Sequence, residues 1–194
     1  MGKNYFIIIT GELAAGKTTY GTKISRELKI PFFSKDKLKE VLFDSMNNNE
    51  LEYEEKRKIG ASSYAIFYTV AEELMKVGTP FILESNFVKE SADILLKLIE
   101  KYKYQSITVR FTGDMEVLHN RFLKREYSEE RHQGLVSNGV FDELEEFKKI
   151  SNKTQEFSIN EQEIVVDTTD FEKVDFLELM DKVYKKIEEV KILK

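Results

Sequence analysis

A chain of 194 residues, 41% of them hydrophobic, can bury one full core and shows no break that suggests a second domain. Without a cysteine it can form neither disulfides nor thiolate metal sites, and a net charge of −5 disfavours a general nucleic-acid binder without excluding local basic patches. No apolar run approaches the ~20 residues that a membrane span needs, and no signal-peptide pattern leads the chain, so a cytoplasmic protein that binds no membrane is expected.

The first element is Tyr5–Thr10 (YFIIIT), a short β-branched run of the kind found in buried parallel strands. Gly11-Glu-Leu-Ala-Ala-Gly-Lys-Thr-Thr19 follows directly, and it fits the phosphate-loop pattern G-x-x-x-x-G-K-[ST]. Each residue has a mechanical reason. Gly11 and Gly16 permit backbone angles that turn successive N–H groups into one concavity, where they cradle phosphate oxygens. Lys17 places a point charge on the outer phosphates, and the Thr18 hydroxyl can ligate Mg²⁺. Ala14, Ala15 and Thr19 complete the expected nucleotide-binding set, so ATP and Mg²⁺ are the expected cofactors. The helix predicted over Thr18–Leu28 sets Tyr20, Ile24 and Leu28 on one face and aims its positive dipole end at the same spot.

Ile30–Ser34 (IPFFS) reads as the second strand and Lys35–Phe43 as a helix with Leu38, Val41 and Leu42 on one side. Ser45–Asn49 is a loop by its asparagines, and Tyr53–Val77 is a long helix that Gly78-Thr-Pro80 stops. The region of about 45–77 should cover the phosphate acceptor. Phe81–Glu84 is the third strand, Ser85-Asn86 are turn and capping residues, and a helix runs on to about Tyr102. Ser106–Thr112 is the fourth strand. Asp114 caps a helix bearing Val117, Leu118, Phe122 and Leu123, with His119 on its surface. A lid is expected at about 126–140, a short acidic helix at Asp142–Lys149, the fifth strand at Glu163–Val166 and a last helix at Phe176–Val190. Strands alternating with helices imply parallel pairing in a three-layer α/β domain.

Ligands in such sheets bind beyond the carboxyl ends of the strands, where polar residues follow the apolar runs. Asp36, after the second strand, is the candidate base for an acceptor hydroxyl, with helix capping as its ordinary alternative. Glu84, ending the third strand, is a candidate Mg²⁺ partner. Arg121 and Arg125 lie four apart on one helix face, and Arg131 follows in a segment with Gly134 and Gly139 as hinges. These arginines either neutralise the transferred group or pair with Glu126, Glu129 and Glu130 on a solvated surface.

With these residues together, the chain resembles the P-loop small-molecule kinases, the adenylate-kinase-like group that includes gluconate kinase, chloramphenicol phosphotransferase and zeta-toxin-type kinases. The resemblance runs from the first strand to Thr169. It implies five parallel strands in the order 2-3-1-4-5, a mobile arginine lid, and ATP-dependent transfer to a hydroxyl of a small molecule. It also implies that Asp36 faces the acceptor hydroxyl, that Arg121 stacks on adenine, that Arg125 reaches the phosphates, and that Asp167-Thr168-Thr169 lies beside the base. The lid stretch Glu130-Arg-His-Gln-Gly134 departs from the relatives' Arg-His-Pro-Gly-His at Gln133 and beyond, which favours Arg131 over His132. A GTPase is disfavoured, because neither N-K-x-D nor D-x-x-G occurs. A nucleic-acid end kinase and a non-catalytic nucleotide-binding module stay open, as do a monomer and a homodimer.

Overall fold

A computed structural model describes residues 4–46, 53–159 and 163–192 of the chain. The first apolar run becomes strand β1 (Tyr5–Gly11), buried from Phe6 onward. Helix α1 (Lys17–Leu28) follows it, then β2 (Phe32–Ser34), α2 (Lys35–Ser45), α3 (Tyr53–Lys76), β3 (Phe81–Glu84) and α4 (Lys89–Tyr102). The chain continues through β4 (Gln105–Thr112), α5 (Met115–Glu126), α6 (Leu144–Gln155), β5 (Ile164–Asp167) and α7 (Phe176–Ile192). Short 3₁₀ turns occur at Gln133–Leu135 and Phe171–Lys173. Part of the loop expected at Ser45–Asn49, and with it part of the acceptor-covering region, lies outside the described residues.

All five strands pair in parallel in the order β2-β3-β1-β4-β5, as expected. Because side chains alternate along a strand, β1 feeds two cores. Ile7 and Ile9 pack with Ile24, Leu118, Phe122 and Val183 on one face, while Phe6 and Ile8 pack with Phe67, Ala71, Leu95 and Phe157 on the other. This three-layer arrangement explains why the central strands are apolar on both sides.

Several local expectations change. Strand β5 is an edge, and Val165 is 58% exposed, so this strand is not buried on both faces. On α2 Leu38 packs on the second core as expected, but Phe43 is the fully buried residue and Val41 points to solvent. Ser85 and Asn86 cap nothing. Helix α4 starts three residues later, where the Ser91 hydroxyl accepts from the Val88 amide and the Val88 carbonyl accepts from the Ser91 amide. Helix α6 runs well beyond Lys149, because Ser151 and Thr154 are buried and Gln155 reaches the Glu12 carboxylate at 3.2 Å. His119 is buried rather than on the surface. Its Nε2 lies 3.0 Å from the Phe141 carbonyl and its ring packs on Phe147. Asp114 does cap α5, accepting from the Glu116 and Val117 amides at 3.0 Å each.

Candidate active site

The phosphate loop joins β1 to α1 at the carboxyl edge of the central strand. Gly11 has φ 125°, and a Cβ there would sit 1.9 Å from the Phe111 carbonyl oxygen, so no other residue fits between β1 and β4. Gly16 has φ 78° and caps α1, and a Cβ there would lie 2.7 Å from the Phe171 ring. Ala14 holds φ 58° without being glycine. Such a conformation costs about 1–2 kcal/mol and is the kind of strain that functional loops store.

Lys17 opens α1, only 7% exposed, and its Nζ donates to the loop's own carbonyls at Gly11 (3.1 Å) and Glu12. Burial pulls this ammonium from 10.5 down to about 8, against Glu84 and Asp36, which push it up. The group is thus a desolvated cation held in a cleft with too little compensating charge. Phosphate oxygens would supply what is missing.

Glu84 ends β3 with 4% exposure, and its Oε2 accepts from the Thr18 hydroxyl at 3.4 Å. Burial pushes the Glu84 carboxyl up; Asp36 adds to this, and Lys17 and a bond from Ser34 oppose it. Asp36 sits in the first turn of α2, but the cap of that helix is Ser34, whose hydroxyl accepts from the Lys37 amide at 3.4 Å. The carboxylate is left to pair with Lys35 at 2.5 Å, with its side chain 48% exposed. Enclosure in the cleft alone would raise its pKa. Lys35, Lys17 and Lys39 outweigh that effect and hold it below the usual carboxylate range. Two acids in one cleft therefore separate, with Glu84 the readier to take a proton and Asp36 the readier to stay ionised.

Lys17, Thr18, Asp36, Glu84, Asn86 and Arg125 line this cleft together, with Ala14, Gly16 and Thr19 on its wall. Asn86 belongs to it although only a turn was expected there, and its Oδ1 is buried without a partner among the described residues. Beside Asp36 opens a cavity of about 430 Å³, bounded by Glu40, Arg125, Arg131, His132 and Leu135. It is large enough for a small polar molecule.

The three arginines do different things. Arg125 projects into the cleft, where enclosure and the neighbouring Arg131 lower its pKa while Asp36 and Glu84 counter them. Arg121, one turn earlier, points away. Its two terminal nitrogens donate to the carbonyls of Thr168 (2.5 Å) and Thr169 (2.7 Å), and its guanidinium lies 3.9 Å over the Phe171 ring. Arg131 borders the cavity beside Asp36 but does not line the cleft around Lys17. It donates to Glu126 Oε2 at 3.1 Å and to the Leu135 carbonyl at 2.7 Å. The Glu126 side chain is 1% exposed, and its other oxygen accepts from the Ser137 amide. Arg131 therefore does pair with Glu126, but the pair is buried and not part of a solvated surface. His132 faces α2, with Nδ1 accepting from the Gly134 amide and Nε2 donating to Asp44, 3.0 Å each.

Among the described residues no group of three His, Cys, Asp or Glu could hold a metal by itself. Mg²⁺ needs no such cage, since it commonly takes one or two protein oxygens and completes its shell with phosphates and water. The Thr18 hydroxyl and the Glu84 carboxylate fit that role for an ion that arrives with a nucleotide. None of the described helices is long and apolar enough to cross a membrane.

Comparison with known proteins agrees with this geometry. No curated protein sequence matches the chain. Among solved structures, a protein of Chloroflexus aurantiacus J-10-fl carrying a provisional kinase assignment is 24% identical, with 98% of this chain and 99% of that one aligned at a TM-score of 0.80. A gluconokinase from Sinorhizobium meliloti 1021 is 17% identical over 97% of this chain and 93% of its own, with a TM-score of 0.55. Shikimate kinase from Bacteroides thetaiotaomicron is 15% identical over 95% and 98%, with a TM-score of 0.56. At these identities the likeness speaks to the fold. A family model described as an AAA domain matches residues 6–149, which span the phosphate loop, Asp36, Glu84 and all three arginines. The chain belongs to this AAA domain family, and its fold is that of the P-loop small-molecule kinases.

Proposed function

We propose that the protein is an ATP-dependent kinase that transfers the terminal phosphoryl group of ATP to a hydroxyl of a small molecule. The observation that carries this reading is the joint placement of Lys17, Asp36 and Arg125 around one cleft, with the cavity of about 430 Å³ opening beside Asp36. A nucleotide-binding module would need the loop and Lys17 alone. An ionised carboxylate at the mouth of a cavity of small-molecule size is what an acceptor hydroxyl requires.

In this reading the residues take the following roles. The loop amides and Lys17 hold the outer phosphates. Arg125 adds charge where the transferred group passes, and Asp36 accepts a hydrogen bond from the acceptor hydroxyl and so aims its oxygen. The acceptor O–P bond forms, the bond from the β,γ-bridging oxygen to the terminal phosphorus breaks, ADP leaves, and the hydroxyl proton passes to the Asp36 carboxylate and from there to solvent. A carboxylate of low pKa is a weak base, which suits a loose transition state in which the hydroxyl proton leaves late. Mg²⁺ bound with the nucleotide would supply charge neutralisation on the phosphates. Thr18 and Glu84 are the residues that would hold it. Arg131 reaches the phosphoryl group only after its pair with Glu126 opens, which makes it part of a closing lid.

Incubating the protein with labelled ATP and panels of sugars, sugar acids, nucleosides, amino-alcohols and nucleic-acid ends tests the reading. Acceptor-dependent ADP release with label on a small molecule supports it. ADP release indifferent to every acceptor would leave an ATPase instead.

Two expectations attach to individual residues. Arg125→Ala should cut kcat more than tenfold with little change in thermal stability, because a side chain that reaches into the cleft without hydrogen bonds among the described residues contributes mainly to the transition state. Wild-type kcat in this variant would return Arg125 to the solvated surface. Acidification should act first on Glu84, whose folded-state pKa is raised, and later on Asp36, whose pKa is lowered. As pH falls, turnover should therefore become more dependent on Mg²⁺ before it fails, and excess Mg²⁺ should restore it. In Glu84→Gln that restoration should vanish. An acid limb insensitive to Mg²⁺ in the wild type would count against Glu84 as a metal partner.

A further inference from the structure

Asn86 lines the cleft around Lys17, two residues beyond Glu84, and serves no local purpose there. It caps no helix, since α4 begins at Lys89 with Val88 as its N-cap. Its Oδ1 is buried without a partner among the described residues, which costs stability. The neighbours on either side nevertheless hold it in place. Ser85 is 3% exposed; its amide donates to the Ile9 carbonyl at 3.2 Å, and its hydroxyl lies 3.1 Å from that of Tyr64. Phe87 is fully buried, its ring 5.0 Å from that of Phe157 and 5.9 Å from that of Phe67. Ser85 is thus tied to the sheet and Phe87 to the second core, and the residue between them turns to the cleft on a fixed backbone. A polar group mounted in this way needs no reorganisation when charge arrives.

Two cavities meet at Asp36, and Asn86 belongs to only one of them. It lines the cleft together with Gly16, Lys17 and Thr19 of the phosphate loop, and it does not line the cavity of about 430 Å³. Its ligand is therefore on the phosphate side. The strand order narrows the place further. In the sequence β2-β3-β1, the end of β3 lies between the phosphate loop, which follows β1, and Asp36, which follows β2. A group passing from the loop to an acceptor beside Asp36 passes the end of β3. Phosphate oxygens have lone pairs and no hydrogens, so they take a carboxamide by its Nδ2 donors.

We propose that Asn86 donates a hydrogen bond from Nδ2 to a non-bridging oxygen of the terminal phosphoryl group, as a further catalytic residue of the transfer. The proposal rests on the kinase reading. Asn86 gives up no proton. It holds the phosphoryl oxygen while the phosphorus leaves the β,γ-bridging oxygen for the acceptor oxygen. A neutral donor also suits the spot, because it neither repels Lys17 and Arg125 nor competes with Glu84 for a cation.

Calorimetric titration of the full chain with the Mg²⁺ complexes of ADP and of the non-hydrolysable analogue AMP-PNP needs no acceptor, because the two ligands differ by the terminal phosphoryl group. Asn86→Ala should weaken AMP-PNP about tenfold or more, the effect of removing a hydrogen bond to a charged group, and leave ADP affinity and the melting temperature nearly unchanged. Asn86→Leu, of similar volume and without a donor, should do the same, and it keeps the test open should the alanine variant fold poorly. AMP-PNP binding as tight as in the wild type overturns the proposal while leaving the kinase intact. So does a loss that ADP shares equally, and so does a loss that excess Mg²⁺ restores, which would make Asn86 a metal partner. Failure of the wild type to bind either nucleotide overturns the kinase reading as well.

Discussion

Asp36→Asn should lower kcat by on the order of 10²–10⁴ and leave ATP affinity nearly unchanged, the effect of removing a positioned acid–base group rather than a binding contact. The substitution keeps the shape and removes the charge proposed to order the acceptor hydroxyl. Helix α2 should be unaffected, since Ser34 caps it. The ion pair with Lys35 is lost, but a half-exposed carboxylate contributes little to stability through such a pair. Steady-state kinetics and thermal melts on one preparation separate the outcomes. Unchanged kcat with a lowered melting temperature would make Asp36 a structural residue of α2 and remove the main support for a kinase.

The parts of this molecule legible in the sequence are those that local physics determines. β1 announces itself as a β-branched run, and the phosphate loop by residues whose spacing no ordinary turn needs. The rule that ligands gather at strand ends then singles out Asp36 and Glu84, which the fold brings into one cleft with Lys17. The strand order is not a local property. It was implied by family resemblance and appears in the pairing of β2 with β3 and of β3 with β1.

What escaped notice depends on contacts distant in sequence. A short acidic helix is expected only over Asp142–Lys149, and α6 runs on to Gln155. It continues because Gln155 meets Glu12 across 143 positions, and because Arg110 donates to the carbonyls of Thr154 and Phe157. Phe171 sits in an irregular turn where no periodicity flags it, yet it shapes both the loop at Gly16 and the pose of Arg121. The burial of His119 and Glu126 could have been foreseen. With Leu118 and Phe122 they occupy positions 118, 119, 122 and 126, one inward stripe of α5, and a polar residue on such a stripe needs a partner. Phe141 and Arg131 supply those partners.

Lys17→Ala should have the largest effect of all, lowering kcat by ~10³ or more and weakening ATP, because it removes a buried cation held by the loop's own carbonyls. The unliganded protein offers an independent check. Lys17 has a folded-state value of about 8 against an ordinary 10.5, so between these two pH values the unfolded chain binds more protons than the folded one. Stability of the unliganded wild type should therefore rise as pH rises through that window, and this share of the slope should be missing in Lys17→Ala. Nucleotide binding reverses the balance. Phosphate oxygens favour the charged ammonium, so binding above about pH 8 should take up a proton, and affinity should fall as pH rises further. Calorimetry in two buffers of different ionisation enthalpy measures that uptake. Equal heats in both buffers at pH 9, or full kinase turnover in Lys17→Ala, would mean that phosphate does not meet Lys17 and that the cradle serves some other ligand.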